Sequence, residues 1–190
     1  TGPSALVLLV EARWDSSECY PVDGKHPPRP PTSAPSLALL SSTDGGRSWD
    51  KNLTVIKDVK CGGTCNPHAA WAKEAKKLVV VFRSAVGMAS ITTTDPQGHQ
   101  GWSKPVSLAQ WVGADWTKAA LPGPGAALAV SLPSGRERML FCAHAGAYSQ
   151  DVAFFSDDLG NTFNVSASTP YNPTRNVLKG MDECSLAQLS

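Results

Sequence analysis

The sequence predicts an all-β chain built as part of a β-propeller, and three observations carry that prediction. Ser42-Thr43-Asp44-Gly45-Gly46-Arg47-Ser48-Trp49 and Ser156-Asp157-Asp158-Leu159-Gly160-Asn161-Thr162-Phe163 share the pattern Ser-x-Asp-x-Gly-x-Ser/Thr-aromatic. Each copy follows a short strand-like run, at 36–40 and 152–155. A degenerate third copy runs from Thr93-Thr94-Asp95 to Trp102, so successive aspartates stand 51 and 63 positions apart. A repeat of about 50 residues holding about four short strands has the size of a propeller blade rather than of a solenoid coil. Within each copy the aspartate accepts hydrogen bonds from the turn, the glycine supplies a positive φ and the aromatic packs beneath.

The elements follow in order. Residues 5–11 are an apolar strand ending in Glu11-Ala12-Arg13, opposite charges where a strand leaves a core. Residues 14–35 are irregular and proline-rich; His26-Pro-Pro-Arg-Pro-Pro31 has the composition of a polyproline ligand and is read as a loop insertion. Residues 36–42 form a strand into the first turn, and 52–58 return from it. Asn66-Pro67 opens the next unit, with strands at 69–71 and 78–83. The polar stretch 72–77 between them is read as a hairpin turn rather than a helix, because the β-branched and aromatic run Leu78-Val-Val-Val-Phe82 follows at once. Residues 88–94 lead into the degenerate turn. Pro122-Gly-Pro-Gly125 is a turn starting a further unit, with strands at 126–132, 139–143 and 151–155 and a turn at 133–135. Residues 181–190 alternate as a strand does. About three blades and part of a fourth are therefore expected in one partial domain, 1–190, a fragment of a longer propeller.

Composition bounds the partners. The 190 residues are 42% hydrophobic and 17% charged, an ordinary globular balance, with a net charge of +1 and no basic patch to attract nucleic acid. The longest apolar run, 5–10, is too short to cross a bilayer and has no basic region before it to make a signal peptide. Five cysteines, at 19, 61, 65, 142 and 184, leave at least one without a partner in the chain if the others form disulfides. Cys61 and Cys65 have a spacing zinc tolerates, but no second ligand pair follows, and no metal or cofactor is expected. The sequons Asn52-Leu-Thr54 and Asn164-Val-Ser166 follow the two turns. With the cysteines they point to a secretory or lysosomal route.

Taken together and in order, Glu11-Ala12-Arg13, the first turn, Asn66-Pro67, Gly123-Pro124-Gly125, the last turn and Glu183-Cys184 resemble the sialidase (neuraminidase) family. The resemblance runs along nearly the whole chain, and the two turns correspond to that family's Asp boxes. It implies a six-bladed propeller and removal of terminal sialic acid from glycoproteins, oligosaccharides or gangliosides with retention of configuration. Because the substrate carries its own carboxylate beside the anomeric carbon, the family attacks with a tyrosine activated by a glutamate, to which Glu183 corresponds. Arg13 corresponds to a substrate-binding arginine outside the family's arginine triad. The acid that protonates the leaving oxygen falls among Asp15, Glu18 and Asp23, of which Asp23 is chosen. The Arg-Ile-Pro motif, the later triad arginines and the tyrosine have no match within 1–190, so the isolated chain is expected to be inactive. Tyr148, Tyr171, His68 and His144 are read as structural. The alternative function is a non-catalytic Asp-box propeller that binds a glycan or a protein.

Overall fold

A computed structural model of the chain describes residues 5–12, 35–56, 59, 61, 65–95, 97–113, 120–145, 150–166 and 184–189. They build three antiparallel sheets. The first orders β1 (Leu6–Ala12), β2 (Ser36–Ser42) and β3 (Thr54–Val55) side by side. The second orders β4 (His68–Ala72), β5 (Lys77–Ser84), β6 (Gly87–Thr93) and β7 (Val106–Ser107). A single helical turn, α1 (Ala109–Val112), then leads to the third sheet. There β8 (Leu121–Pro122) and β9 (Leu128–Ser131) both pair with β10 (Glu137–Ala145), followed by β11 (Gln150–Ser156) and β12 (Asn164–Val165). The polar stretch after Ala72 is a hairpin turn, with Lys76 at φ 47.

Alternation along β5 explains how the sheets stack. Leu78, Val80 and Phe82 point into one core with Leu37 and Leu39 of β2, Ile56, and Ala89 and Ile91 of β6. Val79 and Val81 point the opposite way, into a second core with Ala70 and Ala72 of β4, Met139 and Phe141 of β10, Phe154 of β11 and Phe163. A strand buried on both faces reads as a continuous apolar run, which is what Leu78-Val-Val-Val-Phe82 is.

The Asp-anchored turns brace this stack. In the first, Asp44 accepts from Ser48 N (2.9 Å) and Ser48 Oγ (2.6 Å), and Ser42 Oγ accepts from Gly46 N (2.9 Å). In the last, Asp158 accepts from Thr162 N (2.8 Å) and Thr162 Oγ1 (2.7 Å), and Ser156 Oγ accepts from Gly160 N (2.8 Å). The degenerate copy keeps the principle: Asp95 accepts from the backbone of Gln97, His99 and Gln100, and Trp102 Nε1 donates to Gly98 O. Phe163 is fully buried beneath its turn, whereas Trp49 is 38% exposed. Phe163 packs into the core the third sheet shares with the second, while among the described residues no sheet precedes the first to cover Trp49.

Residues 184–189 form no strand. They make a backbone bond from Leu186 N to Ala126 O (3.4 Å), and among the described residues no neighbour completes a ladder.

Two measurements probe the turns. Gly160 has φ +85 and lies where a Cβ would meet the Val79 methyls at 2.9 and 3.0 Å, so Gly160→Ala is expected to lower stability by about 1–3 kcal/mol in urea unfolding. The bonds from Ser48, then Ser42, lower the Asp44 pKa from 3.8 to about 2. The stability this carboxylate contributes is complete above 3.8 and is lost as pH falls through about 2. In acid titrations Asp44→Asn is therefore expected to be less stable than wild type at neutral pH, with the gap closing over that window.

Candidate functional site

Strand registers divide the stack into two ends. Leu6 pairs with Ser42, Leu78 with Thr93 and Met139 with Ser156, which puts all three Asp-anchored turns at one end. At the other lie Ala12 at the close of β1, Ser84 at the close of β5, Ala145 at the close of β10, and the entries to β4 and β8. Residues that the sequence resemblance singles out flank this second end.

Side chains stitch the three sheets together there. Glu11 Oε2 accepts from Cys65 N at 2.6 Å, and Cys65 is bonded to Cys61 through a disulfide. Arg83 N donates to Cys65 O (2.7 Å), while its guanidinium donates through Nη1 to Ala120 O (3.2 Å). Partial burial pushes the Arg83 pKa down, yet a guanidinium stays cationic. Asn66, at φ 40, donates from Nδ2 to Pro122 O (3.3 Å). Asparagine is among the few side chains that tolerate this backbone region, and the following proline cannot donate.

The third sheet forms a close-fitting socket for the segment that follows Glu183. A Cβ at Gly123 would run into the carbonyl oxygen of Cys184, and one at Gly125 into the side chain of Ser185. Gly123 is thus required for close approach of two backbones rather than for a positive φ. A disulfide ties Cys184 to Cys142 of β10, and Gly123 N donates to Cys142 O (3.0 Å).

His68 holds the socket from behind. Its Nδ1 lies 2.9 Å from Gly125 O and its Nε2 3.3 Å from Cys142 N. A carbonyl only accepts and an amide only donates, so the ring is neutral with its proton on Nδ1. Burial pushes the His68 pKa down, partly offset by bonds to the Gly125 and Gly123 carbonyls. Phe141 packs against the ring at 6.0 Å between centroids.

Of the residues singled out from sequence, Arg13, Asp23 and Glu183 lie outside the described residues, as do Asp15, Glu18, Tyr148, Tyr171 and Cys19. Chain continuity attaches Arg13 to Ala12 and Glu183 to Cys184. Sequence reasoning missed Glu11 as an acceptor, Arg83 and the two hydrogen bonds of His68; Glu11, and Asn66-Pro67 next to His68, stood in visible motifs, whereas Arg83 did not. Cys61 and Cys65 are joined to each other, and among the described residues no three His, Cys, Asp or Glu side chains are grouped to hold a metal. Among the described residues a Ser-His-Asp cluster lies at the opposite end: Asp50 Oδ2 accepts from Ser41 Oγ (2.7 Å), and His99 Nε2 lies 3.0 Å from both. Because Ser41 and Asp50 meet the same ring nitrogen, the carboxylate does not orient the imidazole as a nucleophile's base requires. This cluster is a clasp between the first and second sheets.

Compared with known proteins, the sequence matches no protein-family model and no curated protein. Solved structures do match. The Hadza microbial sialidase Hz136 superposes with a TM-score of 0.61 at 16% identity, over 88% of this chain and 35% of that one. Trypanosoma rangeli sialidase in complex with sialic acid gives 0.54 at 17% identity, over 87% and 29%. The same enzyme as a covalent intermediate with 2,3-difluorosialic acid gives 0.53 at 16%, over 90% and 30%. The chain has a sialidase-type propeller fold. Its three sheets are blades, unclosed, and the chain spans about a third of the length of these solved sialidases. The two disulfides are bonds that persist in an oxidising compartment. No helix among the described residues is long and apolar enough to cross a membrane.

His68 gives this end a measurable signature. Stability tied to its neutral ring is complete above the ordinary pKa of 6.5 and is lost as pH falls below it toward the depressed folded value. His68→Asn keeps a donor for Gly125 O and leaves Cys142 N unpaired, so it is expected to cost about 1–3 kcal/mol at pH 8 and to flatten that acid-side loss in thermal melts.

Proposed function

We propose that this chain is part of a retaining exo-α-sialidase that releases terminal sialic acid from glycoproteins, oligosaccharides or gangliosides. The observation that carries the reading is the fold likeness to solved sialidases, one in complex with sialic acid and one as a covalent intermediate. Support also comes from the sequence. In the chain Arg13 directly follows β1 and Glu183 directly precedes the socketed Cys184, and both Ala12 and that socket belong to the end away from the Asp boxes.

In this reading Glu183 is the base that draws the proton from a tyrosine, whose oxygen then attacks the anomeric carbon. A neutral phenol is suited to that role because a carboxylate nucleophile would be repelled by the carboxylate of the sugar. Asp23, in the segment after Arg13, protonates the departing oxygen and later activates water. Arg13 binds the substrate. The arginine triad and the tyrosine belong to sequence outside these 190 residues, and the chain on its own is proposed to be inactive. The protein would work in a secreted or lysosomal setting.

In the longer protein containing this chain, Glu183→Gln is expected to reduce hydrolysis of an aryl sialoside about 100-fold to 10,000-fold while binding of a sialylated glycan persists. Proton NMR of the first product formed is expected to show the α-anomer. Wild-type protein that binds glycans but hydrolyses none would establish the non-catalytic propeller instead.

A further inference from the structure

Each blade ends in a very short outer strand, β3, β7 and β12, of two residues apiece. An outermost strand offers unpaired N–H and C=O groups to other chains, and the hazard grows when the strand also shows apolar side chains. All three do: Val55 is 40% exposed, Val106 42% and Val165 44%. In the first blade Leu53 adds 42% exposure beside the strand.

The three edges are guarded differently. Immediately before Val106 stand Lys104 and Pro105, a charge and a residue without an N–H, the usual devices against edge-to-edge pairing. No such device precedes Val165. From Asn161 to Thr169 the sequence holds neither a charged residue nor a proline. In the first blade Lys51 is present, but Leu53 and Val55 both remain exposed after it. At these two edges, and not at the middle one, the sequence has sequons: Asn52-Leu53-Thr54 and Asn164-Val165-Ser166. Both asparagines are exposed. Asn164 is itself a residue of β12, its backbone in register with Phe155.

We infer that N-linked glycans on Asn52 and Asn164 cover the outer edges of the first and third blades, doing there what Lys104-Pro105 does in the second. The modification joins the asparagine side-chain nitrogen to the anomeric carbon of an oligosaccharide carried on a polyprenyl diphosphate. The new C–N bond forms as the C–O bond to diphosphate breaks, the amide gives up one proton, and the polyprenyl diphosphate departs. The transferase and that donor reside in the secretory pathway, the same oxidising route that the two disulfides require. A hydrated glycan rooted in an edge strand excludes a second strand by volume, without needing a charge. The inference does not depend on the sialidase reading, since it concerns edges far from Cys184 in the order of strands.

Protein from its native source is digested, and the peptides are released with peptide N-glycosidase in heavy-oxygen water. Labelled aspartate at both positions 52 and 164 is the expected result, and an unlabelled asparagine at either one overturns the inference for that edge. Folded protein is then deglycosylated enzymatically and followed by light scattering. A shift from a single species to higher assemblies is expected, and unchanged scattering would overturn the covering role. Among secreted variants of the full protein, Asn164→Gln is expected to associate and Asn164→Lys to stay dispersed, since a charge substitutes for the glycan. Equal behaviour of the two would overturn the edge argument, with far-ultraviolet circular dichroism verifying that both are folded.

Discussion

The architecture rests on burying both faces of β5. A strand whose alternate side chains enter two different cores cannot be satisfied within its own sheet, so Leu78, Val80 and Phe82 need the first blade while Val79 and Val81 need the third. Burial of apolar surface stabilises by roughly 25 cal/mol per Å², and each of the two buried cores draws its side chains from two neighbouring blades. The propeller is therefore a stack whose middle member cannot keep its core covered if either neighbour is removed.

Polar contacts refine that stack without driving it. The clasp of Asp50, Ser41 and His99 crosses from the first blade to the second. From the third, the Glu137 carboxylate accepts from Lys73 N (2.9 Å) and Glu74 N (3.2 Å), holding the β4–β5 hairpin turn of the second. Both lie at the end bearing the Asp-anchored turns. At the opposite end the links are Glu11 to Cys65, Asn66 to Pro122 and Arg83 to Ala120. Individual side chains link the blades at both ends, but only the first end repeats an Asp-anchored turn from blade to blade, so the residues at the second vary more freely between blades.

Much of the fold was legible because local patterns decide it. The run Ser36-Leu-Ala-Leu-Leu reads as a strand and is one, and the turn aspartates have their hydrogen-bond partners within five residues. The helix α1 was not legible, since four residues are too few for a period of 3.6 to register. Of the two-residue outer strands, β3 lies within the return expected at 52–58, while β7 and β12 were not legible as separate elements. Contacts across blades escape sequence reasoning for a different reason: Glu11 and Cys65 are 54 positions apart, His68 and Cys142 are 74 apart, and no local signal couples them. Pairing of five cysteines is likewise undetermined by spacing. Gly123 was visible as a turn residue, but its reason, the backbone of Cys184 passing against it, belongs to tertiary structure alone.

The Cys142–Cys184 bond also sets an order of assembly. Forty-two positions separate the two thiols, and the first is buried in the finished third blade. During synthesis from the amino terminus, β10 and β11 emerge before Cys184 does. The burial of Cys142 includes the cover given by its own partner, Cys184, seated against Gly123. Covalent closure therefore waits for the chain beyond the third blade and records that this segment has been laid into its socket in register.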